Sequence, residues 1–207
     1  MRASLWSRPG STPLAALLLF LATCLARIPF ASQMLYGWDS ANFALALDYY
    51  NVTWHQPHPP GYPLYVALGK LFDLLFHDAN ASFVAISVIT SAGAVSLLFL
   101  LGRRMYGPWV GLAAGALLAF APGFWGYGEV AYPYTSLAFF GTLVAYLCYR
   151  IWQGDRSMAI PCGLALGMAG GFRQDILVFM GPLWLVSLWQ AGIPRLVASG
   201  VATVAMV

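Results

Sequence analysis

The sequence predicts an all-α protein, a polytopic transmembrane helical bundle. Its composition carries this prediction, because 60% of the 207 residues are hydrophobic and only 8% are charged. Soluble domains contain about 25% charged residues, so a water-soluble fold is excluded. The hydrophobic residues also form long runs, and about 20 helical residues are enough to cross the hydrocarbon core of a bilayer.

Four apolar runs are predicted to cross the membrane, at residues 14–30, 83–101, 107–120 and 134–152. We interpret the first as an uncleaved span rather than a signal peptide, because further hydrophobic segments follow it. The chain also stops within an apolar run. We therefore expect residues 1–207 to be the N-terminal portion of a longer transmembrane domain.

Clustered arginines orient these spans, since cytoplasmic loops are enriched in positive charge. They are Arg2, Arg8, Arg103, Arg104, Arg150, Arg156 and Arg195. With these on the cytoplasmic side, the first loop (residues 31–80) and the short turn around Glu129 face the extracytoplasmic side. These two segments are where we expect the functional site.

Two classes of site find no support in the sequence. The formal net charge is only +3, and no basic stripe of the kind that follows a nucleic-acid backbone is present. Cys24, Cys148 and Cys162 all lie in apolar stretches. They are typical of buried small hydrophobic residues rather than of a disulfide or a metal site.

The first loop begins with a segment that predicts a short amphipathic helix on the membrane surface. Helical spacing places Asp39, Asn42, Phe43, Ala46 and Tyr50 along one face. Asp39 has two interpretations. It is either the N-cap of this helix, since aspartate accepts the free amides of a first turn, or a reactive carboxylate.

A proline-rich segment follows at residues 55–63 and cannot be helical, because proline removes amide donors and forces extended geometry on its neighbours. We expect a stiff loop that presents His55 and His58. It could be a surface turn, but its position before an apolar helix starting near Tyr62 favours the wall of a cavity. The spacing of the two histidines is not that of a helical metal pair.

The next segment, residues 64–76, has helical periodicity but carries two charges, Lys70 and Asp73. Residues three apart are neighbours on a helix surface, so the simplest interpretation is an ion pair between them. Lys70 is also a candidate for contact with an anionic substrate.

A polar joint interrupts the last third of the chain. An apolar run at residues 159–169 meets Gly170 and Gly171, a natural helix C-terminal stop, and Arg173 and Asp175 follow. About 25 Å of helix separates Arg173 from the preceding cytoplasmic arginine, so it lies near the opposite membrane surface. An arginine at that depth needs a polar partner or cavity, which makes it a candidate site residue.

Glu129 is the one glutamate of the chain and lies among Trp125, Tyr127, Tyr132 and Tyr134. Such aromatic residues are typical of the membrane interface. The carboxylate could bind a sugar hydroxyl or help to place a base, or it could simply be a solvated loop residue.

The order of these residues along the chain and their predicted membrane side resemble the pattern of the polytopic glycosyltransferases of the GT-C superfamily. These enzymes take a sugar from a polyprenyl-phosphate carrier. The similarity is to the group that includes the protein O-mannosyltransferases and the lipid A aminoarabinose transferases. It is carried by Asp39, then His58-Pro59-Pro60, then Glu129, then the joint at residues 171–175.

The resemblance implies a lipid-linked sugar donor, transfer with inversion, and a protein, glycan or lipid acceptor. It implies that Asp39 is the general base or orders the acceptor, with Glu129 as a second catalytic carboxylate. His58 and Arg173 would face the carrier phosphate, and Tyr62, Lys70 and Asp175 would complete the substrate site. A divalent cation requirement stays open, and no residue is assigned to a metal. The expected location is a bacterial inner membrane.

Ser40 stands where many members of the superfamily have a second acid, which leaves the sugar and the acceptor open. Two other functions compete. A transporter or flippase for a lipid-linked or anionic substrate would use Arg173, Lys70 and Asp175 to line a path. A structural subunit would use the first loop only for contacts. The polar residues cluster on one membrane side, and this asymmetry favours the enzyme.

Overall fold

The computed structural model describes residues 11–206, and every regular element in this part of the chain is helical. The α-helices of the described part are α1 (Ser11–Arg27), α2 (Trp38–Asp48), α3 (Pro63–Phe76), α4 (Ala79–Tyr106), α5 (Pro108–Phe120), α6 (Pro122–Tyr127), α7 (Tyr134–Trp152), α8 (Ala159–Phe172), α9 (Asp175–Ala191) and α10 (Ile193–Val204). Short 3₁₀ turns cover Ile28–Phe30, Val52–Trp54 and Arg156–Met158. The all-α prediction is confirmed.

Local sequence sets many of the helix boundaries. Proline lies in the first turn of α3, α5, α6 and α10, where its missing amide costs no helical hydrogen bond. The side chain of Asp78 caps α4 by accepting from the amide of Ala81 at 2.7 Å. Gly107, at a φ of 105°, then turns the chain between α4 and α5.

Two helical segments of the described chain are both long and apolar enough to cross a membrane. These are Thr12–Phe30, which extends α1, and Ala79–Tyr106, which is α4. They match two of the four predicted spans. The segments Pro108–Phe120, Asp175–Ala191 and Ile193–Val204 are apolar but shorter.

Helix α4 is the central element, and α1, α3, α5 and α7 all pack against it. It approaches α5 so closely that a Cβ atom on Gly111 would lie 2.4 Å from the carbonyl oxygen of Phe99. On its other side, the hydroxyls of Thr90 and Thr135 share a hydrogen bond of 2.9 Å that joins α4 to α7. Small residues and hydroxyl contacts of this kind are typical of helix packing in membranes.

The predicted joint between two short helices is present, since α8 ends at Phe172 and α9 begins at Asp175. The predicted stop at Gly170 and Gly171 is wrong in detail, because both glycines lie within the last turn of α8. The two glycines serve close packing instead. A Cβ atom on Gly171 would lie 2.5 Å from the side chain of Leu64 in α3, and one on Gly170 would lie 3.0 Å from Leu177 in α9. Their small size, rather than their backbone freedom, explains their position.

The short helix in the first loop forms as predicted, but its apolar face packs on protein. Phe43 and Ala46 are fully buried, and the Phe43 ring lies 4.9 Å from that of Tyr65 in α3 and 5.9 Å from that of Phe83 in α4. Tyr50 lies beyond the end of the helix and is exposed. The helix α2 is thereby fixed against α3 and α4.

The three cysteines are free thiols. Cys148 and Cys162 are buried where α7 packs on α8, with their sulfur atoms 3.6 Å apart, and Cys24 in α1 is half-buried.

Candidate functional site

Asp39 lies in the first turn of α2 but does not cap it. The N-cap is Gly37, whose amide donates to the hydroxyl of Ser40 at 3.4 Å, so the N-cap interpretation of Asp39 is wrong. A Cβ atom at residue 37 would lie 2.3 Å from the hydroxyl of Tyr132, which explains why a glycine begins the helix. The Asp39 side chain, 40% exposed, is left available for other contacts.

The proline-rich loop brings His58 to Asp39. Nδ1 of His58 lies 3.8 Å from Oδ1 of Asp39, and Nε2 lies 3.0 Å from the hydroxyl of Tyr62. The imidazole also packs against the ring of Phe43, at 5.4 Å between centroids. His58 therefore stands between the carboxylate and the phenol. Its Nδ1 is buried without a hydrogen-bond partner.

The joint between α8 and α9 supplies the cationic side of the site. Nε of Arg173 donates to Oδ2 of Asp175 at 2.9 Å, and the guanidinium lies 5.3 Å from the ring centroid of Tyr134. Burial raises the pKa of the Tyr62 phenol, and the nearby charge of Arg173 lowers it in part. The charges of Asp39 and Asp175 also act on this phenol and raise its pKa.

Direct contacts, together with the electrostatic influence of Arg173 and Asp175 on Tyr62, connect four separate segments of the chain. Asp39 from α2, His58 from the proline-rich loop, Tyr62 at the start of α3, and the Arg173–Asp175 pair form one polar cluster, which we call the Asp39 cluster. A carboxylate, an imidazole and a guanidinium in one partly exposed cluster can accept a proton and bind an anion side by side.

Glu129 contacts a different partner. Its Oε1 lies 4.0 Å from Nη1 of Arg27, whose side chain is fully buried at the end of α1. The same guanidinium lies 4.1 Å from the ring centroid of Trp125, and its Nη2 donates to the carbonyl of Ala119 at 2.9 Å. Burial raises the pKa of Glu129, while the Arg27 charge and a Trp125 hydrogen bond lower it in part.

The backbone of Glu129 is fixed as well, since its carbonyl accepts from the amide of Ser32 at 2.8 Å. Within residues 11–206, no ion pair joins its carboxylate to the Asp39 cluster, which has its own ion pairs. The sequence pattern identified Glu129 as a candidate site residue, but it did not identify its partner Arg27. Arg27 lies at the end of the first span that the sequence predicts to be extracytoplasmic, and a positive charge there departs from the positive-inside pattern. That departure could have identified Arg27 from the sequence.

Lys70 is exposed on α3, and no hydrogen bond or ion pair connects it to another residue between 11 and 206. The predicted pair with Asp73 is therefore wrong. Asp73 instead accepts a 3.5 Å hydrogen bond from the hydroxyl of Ser82, which draws its carboxylate towards α4. The structure does not bring Lys70 into the Asp39 cluster.

Tyr132 and Tyr134 are further members of the site that the sequence presented only as interface aromatics. The hydroxyl of Tyr132 is hydrogen-bonded to Ser40 beside Asp39, and the ring of Tyr134 lies under Arg173. They connect the short turn after α6 to the first loop. Within the described residues, no three histidine, cysteine or acidic side chains converge as a metal site would require.

Comparison with known families matches residues 39–191, well over half of the chain, to the model described as "Protein O-mannosyl-transferase TMEM260 N-terminal domain". No curated protein sequence and no solved structure matches the chain. The matched region begins at Asp39 and includes the rest of the Asp39 cluster. The chain therefore belongs to the family of the protein O-mannosyl-transferase TMEM260 N-terminal domain, which agrees with the resemblance to the protein O-mannosyltransferases.

Proposed function

We propose that this chain is the N-terminal part of a membrane glycosyltransferase that moves a sugar, with inversion, from a polyprenyl-phosphate-linked donor to a protein acceptor at the extracytoplasmic face. The family supports a glycosyltransferase and a protein acceptor in general terms. Mannose is the first sugar to test. We propose the bacterial inner membrane as the location, on the basis of the two membrane-length helices and the arginine pattern.

The observation that carries the proposal is the Asp39 cluster itself. Asp39 lies 3.8 Å from His58, and the charge of Arg173 acts on the Tyr62 phenol that hydrogen-bonds the same imidazole. A glycosyl phosphate donor needs this combination, because its acceptor hydroxyl must lose a proton while its phosphate leaves as an anion.

In the proposed reaction, the acceptor hydroxyl oxygen attacks the anomeric carbon on the face opposite the phosphate. The bond from the anomeric carbon to the phosphate oxygen breaks, and its electron pair leaves with the phosphate. Asp39 accepts the hydroxyl proton, so charge and atoms balance. Single displacement of this kind inverts the configuration of the anomeric carbon.

The cationic and neutral donors of the cluster face the leaving group. Arg173 offers a planar guanidinium that matches phosphate geometry, and the imidazole of His58 donates beside it. Tyr62 and Asp175 hold these two side chains through the contacts of 3.0 Å and 2.9 Å. We propose Glu129 as a second carboxylate on the same membrane side, with Arg27 holding it in place.

The proposal is tested by transfer of radiolabelled mannose from polyprenyl-phosphate-mannose, using membranes that contain the full-length protein. Asp39→Asn should slow transfer at least about 100-fold, since general bases contribute about 10²–10⁴ in rate. Arg173→Gln should lower it by a similar factor. Both variants must be present in membranes at the wild-type level.

Two matched controls separate the site from general charge effects. Asp48→Asn changes an exposed carboxylate at the other end of α2, and His55→Gln changes an exposed histidine of the same loop as His58. Both should transfer at close to the wild-type rate. Full activity in Asp39→Asn would refute the catalytic assignment. Failure of the abundant wild-type protein to use any lipid-linked donor would favour the transporter alternative.

A further inference from the structure

A second polar site lies at the other end of α8 from Arg173. A cavity of about 380 Å³ opens there, where α8 and α10 begin. It is lined by Arg156, Ser157, Ala159, Ile160, Pro194, Arg195 and Ala198. The lining therefore combines two cationic side chains with several apolar ones.

The two arginines of this cavity lack an acidic partner among residues 11–206. The one carboxylate nearby belongs to Asp155, and it pairs with Arg150 and accepts from Ser157. Arg195 makes only a 3.3 Å hydrogen bond from its guanidinium to the carbonyl of Ala191. The cavity consequently presents positive charge that the protein itself does not neutralise.

An apolar surface continues from the cavity along both helices. Helices α8 and α10 run side by side, joined by a 2.7 Å hydrogen bond from the hydroxyl of Ser199 to the carbonyl of Ala159. One turn beyond the lining residues, Leu164 of α8 is 38% exposed and Val201 of α10 is 65% exposed. Side chains one turn apart share a helix face, so the apolar surface leads away from the arginines.

We propose that this cavity binds the headgroup of an anionic phospholipid, with its acyl chains along the exposed face of α8 and α10. Arg156 and Arg195 contact the lipid phosphate. Basic pockets beside membrane helices on the cytoplasmic side suit such headgroups, and guanidinium groups bind phosphate with two parallel hydrogen bonds. A free phosphate would satisfy the arginines but would leave Ile160, Leu164 and Val201 uncovered. The inference rests on the membrane placement in the proposed function.

The test measures lipid binding by the full chain, purified in a neutral detergent. Native mass spectrometry counts bound phosphatidylglycerol against phosphatidylcholine, and thermal unfolding follows the same titrations. Phosphatidylglycerol should bind in preference and raise the unfolding temperature. Arg156→Gln and Arg195→Gln should each weaken its binding roughly fivefold. The charge-conserving Arg156→Lys/Arg195→Lys variant should keep most of the preference.

Arg104→Gln is the matched control, because Arg104 lies at the same end of the bundle but outside the cavity. It should change binding less than twofold. Equal binding of the two lipids, or unchanged binding by Arg156→Gln/Arg195→Gln, would overturn the site. Stabilisation by inorganic phosphate equal to that by phosphatidylglycerol would overturn the lipid as ligand.

The two proposals fail in different ways. A defect in sugar transfer leaves lipid preference unchanged, because Arg173 of the Asp39 cluster follows the last residue of α8 and the cavity lies at the first residues of α8. Release of the protein from membranes by sodium carbonate would instead overturn the membrane placement on which this inference rests.

Discussion

Arg27 and Glu129 form a buried ion pair that ties the end of α1 to the turn after α6. The Arg27 side chain is fully buried and that of Glu129 is 15% exposed, so neither charge is well solvated. Such a pair adds little net stability, but removing one partner leaves an uncompensated charge in an apolar environment. Removing one of the two side chains should therefore lower the stability of the protein more than the intact pair raises it.

Arg27→Met should lower the free energy of unfolding by about 3 kcal/mol, because the Glu129 carboxylate stays buried alone. The double variant Arg27→Met/Glu129→Gln should recover most of that loss. Thermal unfolding of the wild type, both single variants and the double variant measures the coupling. A double variant no more stable than Arg27→Met would show that the two side chains do not interact.

Glu129 should also impose a pH dependence on stability. Burial raises its pKa in the folded protein, so the folded state holds this proton more tightly than the unfolded chain does. Its contribution is fully present below the unfolded pKa and is lost as the pH rises through the raised folded pKa. Unfolding temperatures measured from about pH 4 to 7 should therefore depend less on pH in Glu129→Gln. Asp48→Asn, at an exposed position, should leave the profile as in the wild type.

At the scale of the elements, the contact between α4 and α5 depends on Gly111. Alanine at this position would place its Cβ 2.4 Å from the Phe99 carbonyl and 2.6 Å from the Arg103 amide, both backbone groups that cannot rotate away. Gly111→Ala should therefore push the helices apart and cost about 1–3 kcal/mol of unfolding free energy. Gly181→Ala is the control, since a Cβ there meets no atom within 4 Å. Equal unfolding temperatures for the two variants would contradict the close packing.

Sequence periodicity predicted most helices, and its errors have physical reasons. The bounds of α7 agree because its apolar run follows Pro133 and ends close to Arg150. The stop at Gly170 and Gly171 was wrong because local signals do not reveal that a neighbouring helix needs space for Leu64. Likewise, the need for glycine at residue 37, the N-cap of α2, comes from the Tyr132 hydroxyl of a distant segment.

The sequence predicted which residues belong to the candidate site better than it predicted which of them contact each other. Asp39, His58 and Arg173 stood out because charged or imidazole groups are unusual beside apolar runs, and the structure brings them together with Tyr62. The partner of Glu129 was not predictable, because the contact with Arg27 joins residues about 100 positions apart. Lys70 was also selected because it is a charged residue in an apolar segment. In the structure it is exposed on α3 and lies outside the Asp39 cluster.

At the scale of the whole molecule, the placement of charge predicts which end faces which side of the membrane. In a variant without native cysteines, a cysteine replacing the exposed His55 should react with an impermeant maleimide added outside intact cells. One replacing the exposed Gln190 at the end of α9 should react only after the membrane is opened. Labelling of both from one side would contradict the positive-inside orientation.

The central position of α4 has a consequence for biosynthesis. Helices made before it and after it both pack against it, and Phe43 and Tyr65 are buried in part by its residue Phe83. During synthesis, α2 and α3 therefore emerge before the surface that covers them exists. Released chains that end before residue 79 should expose these aromatic rings and be cut readily in the first loop by added protease. Chains that extend beyond residue 106, where α4 is complete, should protect the same loop.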